Sequence, residues 1–579
     1  MKRLFLLGVI VLLAMAASGR VMAADAFGAW TNGLPTAWVE GATCDPYVDY
    51  NCSPSKATMA LKSNANGPCD PYVNYKCLDA YLGDNPIGRF YRYYELEWGK
   101  GVAPSDPSAP PGRRSDSVWP PTPQSSPPMP FTEWPYGGTV NIATTRPNSV
   151  DSPLMVAIAN TTAGQLLNAS HIQVYGWVNG GGNFSTNNVK PGGNAPAAYD
   201  YTPNTFQLDQ AVVYVERLPD TVQLDHIDWG FRFSALYGVD YRYTTSYGLA
   251  SYQLLNHNLV NGYDFPMVYG DVYIPFLQGM NVRIGRFISV PDIEAQLAPN
   301  NYTYVHSLTY SFDNYTNTGI EVTTALTKNW ILQTGVTVGS DTALWNLGQT
   351  VPNLIPGNPI YPASTLPKDP GAAPSATVGI RWTSDDGRDD LNLVADAING
   401  GQWGYNNLQW LGGTFYHKFN DYWHLAVEVY NLHQNNVPNA LNPAAVAIVA
   451  GGGTPFGPNL IAFNAPNLAQ CNNASALTCT ASAQAFLTYL NYSPNKLNNF
   501  SLRAEWYDDM EGQRTGVKTR YVDVAGSWQH WLSPQIEMRP EIAYYRSLDA
   551  NAFNGNVNAG IAPNRNYAVI GAADLIVHF

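Results

Sequence analysis

From about residue 165 to its C-terminus the chain alternates apolar and polar residues in segments of about ten, the length of a membrane-crossing strand, parted by Gly, Asn, Asp and Pro turns. In Phe500–Tyr507, Phe500, Leu502, Ala504 and Trp506 fall on one side and Ser501, Arg503, Glu505 and Tyr507 on the other. In Ile536–Tyr545, Ile536, Met538, Pro540, Ile542 and Tyr544 alternate with Glu537, Arg539, Glu541, Ala543 and Tyr545. Trp229, Phe231, Phe233, Ala235 and Tyr237 oppose Gly230, Arg232, Ser234 and Leu236. Period two places each pair of sets on opposite faces of a sheet. A hairpin is legible in Thr414–Phe419, an Asn420-Asp421 turn, and Tyr422–Tyr430. The final segment, Tyr567–Phe579, keeps apolar or small residues at its odd positions, sets Asp574 and His578 on the other face, and ends on the aromatic Phe579.

These elements predict an all-β fold, a transmembrane antiparallel β-barrel of about 16 strands within a range of roughly 12–18, even in number if both ends lie on the periplasmic side. Longer connections at about 341–375 and 434–495 read as extracellular loops of that barrel.

The N-terminus adds a compartment. Met1-Lys2-Arg3, an apolar run from Leu4 to Ala17 and Val21-Met22-Ala23 have the order of a secretory signal peptide, cleaved after Ala23. A short membrane anchor is the alternative, but a spanning helix needs about 20 apolar residues, and Gly19-Arg20 breaks this run early. No later apolar run is long enough to span as a helix, Ala444–Ala450 being the most apolar. The mature chain is therefore either soluble outside the cytoplasm or embedded as a barrel.

Four units are expected: the signal peptide 1–23, an irregular N-terminal extension 24–102, a Pro/Ser-rich linker 103–150, and the barrel 151–579. The extension holds a duplication, Cys44-Asp-Pro-Tyr-Val-Asp-Tyr-Asn-Cys52 and Cys69-Asp-Pro-Tyr-Val-Asn-Tyr-Lys-Cys77. With Cys471 and Cys479 the six cysteines form three pairs of equal spacing, and in an oxidising compartment three local disulfides are the simplest pairing, which sequence alone does not fix. Proline lacks the backbone donor of a ladder, so the prolines dense over 103–136 make an extended linker or a strap along a surface.

Composition sharpens this picture. Only 13% of residues are charged, against about 25% in a soluble domain, so part of the surface need not face water. The 37 Tyr, 16 Trp and 50 Gly suit many aromatic-rich strands and tight turns. Net charge is −13, and −16 once Lys2, Arg3 and Arg20 leave with the leader, which argues against a nucleic-acid partner. No CxxC, CxxCH or metal-ligand spacing is present, so no cofactor or metal is expected.

The stretch from His171 to Phe579 resembles the porin-2 (OmpL-like) family of bacterial outer-membrane β-barrels. The residues that carry the likeness are Tyr175-Gly-Trp-Val-Asn179, Asn183-Phe-Ser-Thr-Asn187, Gly238-Val-Asp-Tyr-Arg-Tyr243, Val282-Arg-Ile-Gly-Arg-Phe287, Pro291–Asn301, Tyr416-His-Lys418, Arg503-Ala-Glu505 and Gly512-Gln-Arg-Thr-Gly516. The resemblance implies a barrel in the outer membrane that passes small hydrophilic solutes or ions by diffusion. Its implied partners are outer-membrane lipids, the barrel-insertion machinery, for which Phe579 is the terminal signal, and possible further copies of itself.

Candidate pore-lining residues follow from the polar faces. Arg283 and Arg286 precede an acidic segment with Asp292 and Glu294, and Arg503/Glu505 and Arg539/Glu541 are i, i+2 pairs on lumen-facing sides. Opposed charges can form a constriction that sorts solutes; they can equally be an ion-paired wall.

Two other function classes stay in view. An enzyme would need a nucleophile beside a base. His306-Ser307 are adjacent, so on a strand they would point apart, while His417 and His424 flank the hairpin turn without a suitable Ser or Cys. A barrel scaffold would use the extension to bind a partner or to plug the lumen.

Overall fold

The computed structural model describes residues 82–97 and 152–579, except 222, 256, 258, 290–291, 347–369, 386–387, 405–406, 421, 449–467, 496–497, 534 and 557–559. The leader, the first two cysteine pairs and the linker lie outside the described residues.

The strands are β1 (Gln173–Ser185), β2 (Phe206–Arg217), β3 (Asp228–Gly238), β4 (Gly262–Asp264), β5 (Val268–Ile274), β6 (Met280–Ile288), β7 (Thr316–Ala325), β8 (Trp330–Ser340), β9 (Ser375–Thr383), β10 (Asp389–Ile398), β11 (Gln409–Lys418), β12 (Trp423–Pro438), β13 (Thr478–Asn495), β14 (Asn498–Asp509), β15 (Thr519–Ser533), β16 (Ile536–Met538), β17 (Glu541–Ser547) and β18 (Tyr567–His578). All belong to one 18-segment antiparallel sheet. β4 and β5 both pair with β3, and β16 and β17 both pair with β15 and β18, so each couple is one interrupted strand. The barrel thus has 16 strands. Both interruptions fall at prolines, Pro266 and Pro540, which cannot donate to a ladder. β18 pairs with β1 from Trp177↔His578 to Ser185↔Ile570 and closes the barrel.

Closure uses the last residue. Phe579 exchanges both backbone hydrogen bonds with Gly176, at 2.8 and 3.0 Å. A Cβ on Gly176 would stand 2.0 Å from the Val212 carbonyl oxygen and 2.8 Å from the Phe579 ring, so only glycine fits at this seam.

Short connections lie at one end of the barrel, at 275–279, 326–329, 384–388 and 419–422, together with the start of β1 and the end of β18. The longer connections, those that follow β1, β3, β6, β8, β12 and β17, leave and rejoin the sheet at the other. The hairpin of β11 and β12 turns where the sequence indicates, with Lys418 facing His424 across the ladder. The loop expected over 434–495 is shorter than that: β12 runs on to Pro438 and β13 begins at Thr478. β13 is hidden in the sequence because its inward side, Ala481, Ala483, Ala485, Leu487 and Tyr489, is apolar and its outward side is mixed, the reverse of the usual lumen pattern. Cys471 and Cys479 are bonded, with Cα atoms 6.0 Å apart, and tie the end of this loop to the first turn of β13.

No helix among the described residues is long and apolar enough to cross a membrane; the crossing is made by strands. Their outer face is apolar and uncovered. Trp229, Phe233, Tyr237, Ile284, Ile320, Val378, Phe500, Leu502, Val524 and Leu575 all project from it. Ile542, 63% exposed, is the barest of the last strands because its ladder partners on either side are Gly526 and Gly571. This surface belongs in lipid. An Ile542→Arg substitution should cost about 2–4 kcal/mol, read as a lower urea midpoint in lipid vesicles, whereas the same change at exposed loop residue Leu548 should leave the midpoint in place.

Three helices collect at the short-turn end: α1 (Pro86–Glu97), α2 (Pro153–Ile158) and α3 (Thr162–Ala169). α2 starts on a Ser152 cap, whose hydroxyl accepts from Met155 N and donates to Val174 O on β1. α1 packs on α2: buried Arg89 donates to Val156 O at 3.0 Å, and Asn160 Nδ2 donates to Asp84 O at 2.9 Å. The Tyr94 hydroxyl reaches the His578 carbonyl.

Candidate functional site

Past β6 the chain does not leave the barrel. Residues 292–315 fold into the lumen, burying Ile293, Leu297, Tyr302, Tyr304, Val305, Leu308, Phe312 and Tyr315. The segment contains no Lys or Arg and many carbonyls with no regular partner of their own. The opposite wall supplies what it lacks.

Arg539 donates to the carbonyls of Ala298, at 2.6 Å, and Asn301, at 3.1 Å. Arg503 donates to Val305 O, and Arg514 to Phe312 O at 2.9 Å. Wall carboxylates take the loop's amides: Glu428 receives Ile293 N at 2.9 Å and Glu541 receives Val305 N at 3.0 Å. Glu505 receives Leu308 N at 2.9 Å and the Thr309 hydroxyl at 2.6 Å, at the positive end of the one-turn helix Leu308–Ser311. Gln210 on β2 binds both Gln296 O and Ala298 N. On β1, the Tyr304 ring lies where a Cβ of Gly181 would stand, 2.4 Å away. Ala426, Ala483 and Ala485 leave space for the loop's aromatic side chains. Sequence, backbone donors and wall shape therefore agree on one placement of the loop.

Of the candidate residues, Arg503, Glu505, Arg539 and Glu541 converge here. Each is buried and bonded to the loop, and the two arginines are also ion-paired, Arg503 with Asp523 at 2.7 Å and Arg539 with Asp574. Arg283 and Arg286 do not meet the acidic segment. They pair on their own side of the wall with Asp271, at 3.0 Å, and Asp264, at 2.9 Å. Asp292 and Glu294 are in the loop itself. Glu294 accepts from Ser307 N and the Ser307 hydroxyl, the latter at 2.9 Å, and from the Tyr489 hydroxyl on β13, bracing the loop internally and to the wall. Burial alone would raise its pKa, but His306 and Arg503 outweigh burial and hold it below the ordinary value.

His306 and Ser307 are in this loop and not on a strand; Ser307 caps the short helix, and the His306 ring lies tilted against Tyr199, centres 3.8 Å apart, and stacks on Tyr310. His417 and His424 project to opposite faces: His424 is buried in the lumen against the Tyr302 hydroxyl, and His417 bonds Asp389. The inward course of 292–315 and the residues that hold it, Gln210, Glu428, Tyr489 and Arg514, are not legible in the sequence. The one available signal is a long segment between strands that is rich in Tyr, Ser and Asn yet free of Lys and Arg.

A closed 16-strand barrel with an apolar belt and a polar lumen entered by its own loop is the architecture of a porin, a channel of the outer membrane through which small solutes diffuse. The model of the family described as "Putative beta-barrel porin-2, OmpL-like" matches residues 171–579, and the chain belongs to that family. The family and the fold point to a channel.

Solved structures with a similar fold include the anion-selective porin from Comamonas acidovorans (9% identity, 70% of this chain and 99% of that one, TM-score 0.41). The outer-membrane channel DcaP of Acinetobacter baumannii is 10% identical over 70% of this chain and 97% of that one, with a TM-score of 0.41. The trimer form of OmpT from Vibrio cholerae is 9% identical over 70% and 99%, with a TM-score of 0.38. No curated protein matches the chain.

Proposed function

We propose that this porin is a constricted, cation-preferring diffusion channel, in which the loop 292–315 narrows the lumen and the charges around it set which solutes pass. The observation that carries the constriction is the set of wall-to-loop bonds from Gln210, Glu428, Arg503, Glu505, Arg539 and Glu541, which fix the loop across the bore. Charge preference rests on an imbalance. Six lumen arginines, Arg232, Arg283, Arg286, Arg381, Arg503 and Arg539, are each ion-paired with a carboxylate, and a seventh, Arg514, is spent on the Phe312 carbonyl of the loop. Asp209, Asp240, Asp341, Asp396 and Glu428 have no cationic side chain within ion-pair distance among the described residues. A lumen with surplus acid attracts cations.

This preference should depend on pH. Burial pushes Asp240, which faces Asp209, Asp574 and Arg539, and Asp341, which faces Arg286, up to about 7. Both lose their proton as pH rises through that value, so negative charge in the lumen grows with pH. The zero-current potential across a bilayer in a KCl gradient should therefore report a K⁺ preference that strengthens between pH 5 and pH 8, about two units below and one above the titration point. A potential of the opposite sign, or one unchanged by pH, contradicts the charge assignment.

The same reading gives the remaining parts their places. The leader 1–23 directs export, Phe579 presents the terminal strand to the insertion machinery, the outer belt meets lipid, and α1, the described part of the extension, sits at the periplasmic mouth of the barrel. Support for the last point is the docking of α1 beside the C-terminus.

A further inference from the structure

We propose that Asp292, Asp313 and Glu428 form a binding site for a hard divalent cation, of the calcium kind, that pins the neck of the lumen loop to β12. The inference rests on the loop lying inside the barrel, not on the barrel conducting.

The three residues are far apart in sequence, which is why no metal spacing is visible there. Asp292 opens the loop, Asp313 closes it, and Glu428 comes from the wall. Folding brings one carboxylate oxygen of each within 4.8 Å of the others. Two oxygens bound to one calcium ion at about 2.3–2.6 Å can lie up to about 5 Å apart, so the spacing suits a shared ion. Asp313 and Glu428 are buried and Asp292 is half-buried, which leaves a hydrated ion a route in. No Lys, Arg or His forms an ion pair with any of the three among the described residues.

Glu428 Oε2 accepts Ile293 N at 2.9 Å, and Asp313 accepts twice, at Oδ2 from the Trp410 indole N–H at 3.1 Å and at Oδ1 from Asn314 N at 2.5 Å. Glu428 Oε1 and Asp292 Oδ1 are enclosed without a hydrogen-bond partner. A further group points the same way. The Tyr310 hydroxyl, 2% exposed, has no hydrogen-bond partner, and Asp292 is the charged group acting on it most strongly, with Glu294 and Asp313 next among the acids. Enclosed carboxylates and a hydroxyl with unmet bonding capacity form an all-oxygen set, and hard cations of six to eight oxygen ligands, several of them water, take such sets. A cation would also offset the mutual repulsion of three acids in a poorly hydrated place. The competing arrangement is a proton on Asp292 shared with its two neighbours.

The test uses the full-length protein refolded in detergent without lipopolysaccharide, whose own phosphates bind calcium. Calcium titration by calorimetry should show one saturable site. Terbium should luminesce under tryptophan excitation, because Trp410 touches Asp313, and calcium should quench it by displacement. Glu428→Gln keeps an acceptor for Ile293 N and should weaken calcium binding at least about ten-fold, the loss that removing even an outer-shell partner of a ligand brings; Asp313→Asn should do the same. Trp410→Phe should keep calcium binding and lose most of the luminescence. Heat-modifiable gel migration verifies that each variant is a folded barrel. No saturable binding up to about 10 mM calcium, beyond the weakest natural oxygen-ligand sites, overturns the proposal in favour of the shared proton. Equal affinity in the wild type and Glu428→Gln overturns it in favour of adventitious surface binding. Either failure leaves the channel reading intact, since conductance is measured separately.

Discussion

Arg503→Ala is expected to destabilise the folded barrel by about 3–5 kcal/mol, the cost of removing one partner from a buried charge network. Arg503 is completely buried and holds four groups at once: Asp523 at 2.7 Å, the Tyr545 hydroxyl at 3.0 Å, Glu541 at 3.5 Å and the Val305 carbonyl. Its loss strands two carboxylates and a loop carbonyl in a place water reaches poorly. Arg503→Lys keeps the charge but not the planar fork, so it should recover only part of the loss. Arg520→Ala is the control, because its pair with Asp549 is exposed and such pairs contribute about 0–1 kcal/mol. Urea unfolding of the three variants in lipid vesicles measures this ordering. Equal midpoints for Arg503→Ala and Arg520→Ala would show that the lumen network bears no part of the stability.

Replacing 293–312 with a short Gly-Ser linker is the second large change. The barrel should still close, because the seam of β1 and β18 and every ladder pair are outside the segment. The unit conductance should rise severalfold, since the loop and its buried aromatic side chains leave the bore while Arg503, Glu505, Arg539 and Glu541 remain as a water-exposed charged wall. Vesicle-swelling assays should show a larger solute cut-off in parallel. Conductance equal to that of the intact protein would place the narrowest point elsewhere.

Much of the scaffold is legible from residues alone. Period-two alternation identifies both faces of β3, β14 and β18, and the exposure of Phe500 and Leu502 against the burial of Arg503 and Glu505 follows it residue by residue. The strand number is recovered because turns and alternating segments repeat. Alternation fails at β13, where the lumen side is Ala, Ala, Ala, Leu and Tyr. That side does not line water; it packs against the folded-in loop, so the lumen there behaves as a protein core.

The charged candidates divide for the same reason. Polar faces indicate that Arg503, Glu505, Arg539 and Glu541 look inward, but their partners are loop backbone groups more than two hundred positions away in some cases, as for Arg539 and Asn301, and no local pattern encodes that. Arg283 and Arg286, nearest the acidic segment in sequence, satisfy themselves across the ladder with Asp271 and Asp264 instead. Proximity along the chain misleads here because β6 and the loop that follows it diverge: the strand stays in the wall and the loop crosses away.

The most direct test of a water-filled but constricted lumen is single-channel recording of the full-length protein in a planar bilayer. Discrete, ohmic current steps are expected from the intact chain, in a preparation shown to be folded by heat-modifiable migration. Electrical silence from that same folded preparation, persisting after the 293–312 replacement, would contradict the channel.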